Sequence, residues 1–100
     1  MSVRKLSFIP YAQAKVYEYR KNEGCSANKD ILVSYATPVV DIDYDKCLVT
    51  CYGLYSRTTM KHISAFMREN GMNYYIAKRC YNDNMQYNFV TGEYIKIEGE

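Results

Sequence analysis

Apolar and polar residues alternate in the first half of the chain and then shift to a helical period. From Val40 to Asp45 the order is Val-Asp-Ile-Asp-Tyr-Asp, so Val40, Ile42 and Tyr44 share one face and Asp41, Asp43 and Asp45 the other. This predicts a half-buried strand with an acidic outer face. Asp30–Ala36 predicts a strand before it, with Ile31, Val33 and Tyr35 on one face. Cys47–Tyr52 predicts a strand after it, close enough to form a hairpin through a tight turn at Tyr44–Lys46. A further strand is expected from about Lys15 to Arg20, and Leu6–Ile9 is a short strand or an arm.

The period changes after Gly53. Met60, Ile63, Phe66 and Met67 recur at helical spacing, with Ser64 on the same side. Thr58 is the preferred N-cap and Ser56 the alternative, because either hydroxyl can accept from a free N–H of the first turn. Gly71 stands where a left-handed residue ends a helix. Thr58–Asn70 is therefore expected to be one amphipathic helix, its apolar stripe facing the core. Asn73–Cys80 reads as a strand, Tyr81–Gln86 as a polar loop or helical turn, Thr91-Gly92 as a turn, and Tyr94–Ile97 as a final strand before a frayed end at Glu98–Glu100. The expected fold is α+β: an antiparallel β-meander with one main amphipathic helix packed on one face.

Composition narrows the class. The chain has 100 residues, 48% hydrophobic and 24% charged, which fits a single domain over residues 1–100 and excludes a disordered chain. Twelve Tyr in so short a chain leave some of them exposed, where they suit binding surfaces. A net charge of +2 falls short of a dedicated nucleic-acid binder. The N-terminus carries no signal-peptide pattern, and no stretch is long enough to cross a membrane. A cytoplasmic location is expected, with no membrane partner. In that compartment cysteines are thiols or metal ligands.

Four candidate groups follow. The D-x-D-x-D run of Asp41, Asp43 and Asp45 starts like a calcium loop, but Lys46 stands where that loop needs Gly and Tyr52 where it needs Glu. It remains either a solvated strand face or an acidic stripe that docks into a basic groove of a partner. Cys25, Cys47, Cys51 and Cys80 are enough for a structural zinc site, although the spacing fits no standard finger. Cys47, Val49 and Cys51 are expected on one strand face, and the alternative to zinc is small buried core residues. No cofactor is expected otherwise. His62, the single histidine, reads as a partly exposed helix residue; no thiol or Gly-rich turn is placed to make it catalytic, so no enzyme is expected. Arg57, Lys61, Arg68, Lys78 and Arg79 are interleaved with Tyr74, Tyr75 and Tyr81, a composition that can contact phosphates and stack bases, or simply form a solvated face.

The segments Leu32-Val-Ser-Tyr-Ala-Thr-Pro-Val39, Tyr52-Gly-Leu-Tyr-Ser56, Thr58-Thr59, His62-Ile63 and Phe66, a Leu-Tyr-Ser-x-Thr-Thr-x-x-His-Ile pattern, carry a resemblance. Over roughly Lys15 to Gly71 the chain resembles small proteins encoded by bacteriophages and mobile elements of Gram-positive bacteria. The resemblance implies a phage-type accessory protein in the cytoplasm of a bacterial host cell, a class that includes anti-CRISPR inhibitors; it carries no catalytic residues. The expected function is a non-catalytic interaction protein that binds and inhibits a host macromolecule, such as a Cas nuclease. Asp41, Asp43, Asp45, Arg57, Lys61, Tyr74, Tyr75, Lys78 and Arg79 would form the contact. The alternative is a small nucleic-acid-binding regulator.

Overall fold

Among the described residues seven strands form one antiparallel sheet in the order of the chain: β1 (Ser2–Arg4), β2 (Ala14–Tyr19), β3 (Lys29–Ser34), β4 (Thr37–Asp43), β5 (Leu48–Cys51), β6 (Met85–Asn88) and β7 (Tyr94–Lys96). Two helices, α1 (Arg57–Glu69) and α2 (Tyr74–Asn82), lie between β5 and β6 in sequence. The computed structural model describes residues 1–97, so the expected frayed end at Glu98–Glu100 lies outside the described residues. The α+β class stands, with two helices where one main helix was expected.

One face of the sheet builds the core. Val16 pairs with Leu32, Leu32 with Val40, and Val40 with Cys51, while Ile42 pairs with Val49. All are buried together with Ile63, Phe66 and Met67 of α1 and Ala77 and Cys80 of α2. Each large apolar side chain removed from water here contributes about 1.5–3 kcal/mol. Leu6 is buried in the same core, just after β1. The strand or arm expected at Leu6–Ile9 is thus a connection, and the strand lies earlier.

In β3, Ile31 and Val33 share one face, as the alternation predicts; it is the outer face, and Asp30, Leu32 and Ser34 point inward. Partners make this possible, because a buried polar group is tolerated when it is hydrogen-bonded. The Tyr44 hydroxyl donates to Asp30 Oδ2 at 2.9 Å, with Asn70 Oδ1 at 3.2 Å. Ser34 Oγ lies 2.8 Å from His62 Nδ1.

α1 starts at Ser56, whose Oγ accepts from Thr59 N, so the alternative cap is the one used. The buried face of α1 is Thr59, His62, Ile63, Ala65, Phe66 and Met67; Met60 is 37% exposed. The stripe is thus rotated from the apolar pattern, again because polar Thr59 and His62 find partners inside. Gly71, at φ 77°, closes α1 in a left-handed turn with Met72 N bonded to Met67 O and Gly71 N to Arg68 O.

Asn73–Cys80, read as a strand, is most of α2. Asn73 caps it, its Oδ1 accepting from Tyr75 N and Ile76 N, and Ala77 and Cys80 are its buried residues at a spacing of three. The β-favouring Tyr74, Tyr75 and Ile76 are overridden by packing on the sheet.

Candidate binding surface on the paired helices

The connection Asn70–Asn73 is short, so α2 folds back beside α1 and brings separate parts of the sequence together. Arg57, Met60, Lys61 and Ser64 on α1 and Tyr74 and Tyr75 on α2 line one open hollow of about 320 Å³. A second hollow of about 320 Å³ is lined by Tyr75, Lys78, Arg79, Asn82 and Asp83. Tyr75 borders both and is 71% exposed. The Tyr74 and Tyr75 rings meet edge to face, their centroids 5.6 Å apart.

Arg57, Lys61 and Lys78 are exposed and have no ion-pair partner among the described residues. Arg79 differs. Its guanidinium sits over the Tyr94 ring at 4.2 Å and lies 3.6 Å from Asp83 Oδ2, so it is turned toward the end of the sheet. Met60 and Ser64 were not anticipated as part of this surface; their signal was their place one helical turn from Arg57 and Lys61.

The acidic stripe lies elsewhere. Asp41, Asp43 and Asp45 are on or next to the outer sheet face, away from the helices, and each is engaged within the chain. Asp41 is 9% exposed, 3.7 Å from Lys29 Nζ and 3.4 Å from the Tyr52 hydroxyl. Burial, more than the neighbouring Lys29, decides its titration and holds its carboxyl above the usual range. Asp43 Oδ1 accepts from the backbone N–H groups of Asp45 and Lys46 and so fixes the turn. Asp45 accepts from Asn28 N and Nδ2, and Lys21 Nζ is 3.4 Å away; the Asn28 bonds hold its carboxyl below the usual range.

The four cysteines are spread out. Cys51 and Cys80 are buried, and burial pushes their thiols up to about 11 and about 12. Cys47 sits in the β4–β5 turn at φ 62° rather than on the face of Val49 and Cys51, and Cys25 lies in the β2–β3 loop. Among the described residues no group of three or more His, Cys, Asp or Glu side chains is arranged to hold a metal ion.

His62 is buried rather than partly exposed, at 1%, with the rings of Tyr11 and Tyr35 at 4.9 and 5.7 Å. Burial lowers its pKa, so the ring is neutral at physiological pH. Ser34, Thr59 and Ser56 form a hydroxyl chain that ends on Nδ1. No helix among the described residues is long and apolar enough to cross a membrane.

A family model described as a family of unknown function (DUF8033) matches residues 4–83, from the end of β1 to the end of α2. No curated protein and no solved structure matches the chain.

Proposed function

The chain belongs to the DUF8033 family, whose function is unknown, and we propose that it is a non-catalytic interaction protein that docks an anionic macromolecule on the α1–α2 face. One observation carries this reading. Arg57, Lys61 and Lys78 are gathered beside exposed Tyr75, the carboxylate that shares their hollows, Asp83, is paired with Arg79, and the acidic residues of the sheet are occupied by partners of their own. Unpaired cations on a rigid surface attract and orient an acidic partner. Binding without chemistry is supported by the depth of the His62–Ser34 pair, which is covered by the rings of Tyr11 and Tyr35. Together with the phage-type resemblance of the Leu54–Ile63 segment, this describes a cytoplasmic accessory protein that binds an anionic host macromolecule, a Cas nuclease with its nucleic acid being the kind of target that class implies.

The test is capture of partners from a bacterial host lysate by the tagged protein and two variants. Arg57→Gln/Lys61→Gln/Lys78→Gln should lose the captured partner, while Asp43→Asn should keep it. A partner retained by the triple variant would remove the helix face from the proposal.

A further inference from the structure

We infer that the occupant of the α1–α2 face is a single-stranded nucleic acid, with Tyr75 standing between two neighbouring nucleotides. The inference rests on the reading of this face as an anion-docking surface and adds the chemistry of what docks there.

The geometry around Tyr75 points to it. An acidic protein surface needs only cations, but this face also offers a largely exposed aromatic ring that borders two hollows. One hollow has Arg57 and Lys61 at its rim and Met60 in its lining; the other has Lys78. Alternating cations and an exposed ring is the arrangement that holds a single strand, because every base has a face to stack and every linkage a phosphate to neutralise. Both hollows are open, as a continuous strand requires, and each is large enough for one base. Duplex DNA is disfavoured, since its bases are already stacked and leave Tyr75 no partner. Asp83, paired with Arg79 at the far edge of the second hollow, limits the track at that end. The phosphates therefore fall to three cations, Arg57, Lys61 and Lys78.

The experiment is fluorescence anisotropy of the full chain with labelled oligo(dT) and oligo(U) of about 12 nucleotides. With three phosphates neutralised, log affinity should fall against log salt with a slope of about −2, so that affinity drops about 20-fold between roughly 50 and 200 mM salt. Tyr75→Ala should weaken binding roughly tenfold, and Tyr75→Trp should restore it by keeping a stacking surface. Lys61→Gln/Lys78→Gln should reduce the salt slope by about 1.4. A preference for oligo(U) or oligo(dT) identifies the source as RNA or DNA. A polyglutamate peptide separates the two proposals. If the peptide binds through Lys61 and Lys78 while neither oligonucleotide binds, the nucleic-acid inference falls and the anionic docking face stands; if Tyr75→Ala binds oligonucleotide as the parent does, the placement of Tyr75 between two nucleotides falls. If neither probe binds, both fall.

Discussion

Ser34 on β3 and His62 on α1, 28 residues apart in sequence, are joined inside the protein by a 2.8 Å hydrogen bond between Oγ and Nδ1. Ser56 can donate to Thr59 Oγ1, Thr59 to Ser34 Oγ, and Ser34 to the imidazole, which places the ring proton on Nε2. Protonating the ring would turn Nδ1 into a donor and force that chain to reverse. Burial already sets the native pKa of His62 below its unfolded value of about 6.5. The native state then binds fewer protons than the unfolded state between those two values, so stability rises with pH through the window and is lost as pH falls. Urea midpoints at about pH 5 and pH 7.5 should differ more for the parent than for His62→Gln. Equal differences would show that His62 does not couple to folding. Ser34→Ala, which strips Nδ1 of its partner, should cost about 1–3 kcal/mol at neutral pH.

Asp30 is buried at 3% exposure against Arg20 and Tyr44. Arg20 Nη1 is 3.0 Å from Asp30 Oδ1, but its N–H groups are directed at the carbonyls of Tyr19 and Lys29, so Oδ1 receives no well-aligned hydrogen bond. The contact is mainly charge neutralisation. Arg20→Gln should therefore cost about 2 kcal/mol, less than the 3–5 kcal/mol of a fully buried pair because the guanidinium is 34% exposed. Tyr44→Phe should cost about 1 kcal/mol or more through the lost bond to Asp30. Chemical denaturation of both variants checks the order; a larger loss for Tyr44→Phe would make the hydroxyl, not the cation, the main partner of Asp30.

The β3–β4 hairpin turns through Tyr35 and Ala36, both left-handed at φ 51° and 70°. Two-residue turns of this kind favour Asn and Gly, since a side chain in that region is crowded against its own backbone. Tyr35 has a reason to be there: its ring packs on His62. Ala36 has no such contact with the histidine, and Ala36→Gly should raise stability by about 0.5–1 kcal/mol. Thermal melting measures this; a lower midpoint would mean that the Ala36 methyl does packing that its dihedral conceals.

At Asp41 the desolvation of the carboxylate outweighs the attraction of Lys29. A carboxyl whose native pKa is raised favours the folded state less once it ionises, so the penalty is present at neutral pH and disappears in acid. Asp41→Asn should leave stability unchanged or increased at pH 7 and bring no gain near pH 3. A clear loss at pH 7 would show that the Lys29 ion pair wins after all.

The alternation in β4 and the period of α1 were legible because ordinary apolar side chains carry them, and Val40, Ile42, Ile63, Phe66 and Met67 are all core residues. The inward face of β3 was not legible, because it includes Asp30 and Ser34, and the buried stripe of α1 departs from the apolar pattern because it includes Thr59 and His62. In each case the partner that makes burial tolerable lies far along the chain and cannot be read locally. α2 was hidden by Tyr74, Tyr75 and Ile76; the Asn73 cap and the spacing of Ala77 and Cys80 were its visible signs. Of the candidate surface, the cations and tyrosines could be read from the sequence, but the hollow between Arg57, Lys61 and Tyr75 could not, because it exists only once two helices lie together.

The meander has a kinetic side. Every pairing from β1 to β5 joins strands that are consecutive and close in the chain, as does the pairing of β6 with β7. Only β5 and β6 must meet across residues 52–84, the segment that holds both helices. Closing that long loop costs more entropy than closing any of the hairpins. The first five strands and the last two can thus form as separate local units, and they join when the helix pair collapses onto the sheet. The step that assembles the α1–α2 face should therefore come late in folding, and amide exchange should find the β5–β6 seam opening before the β2–β4 ladder does.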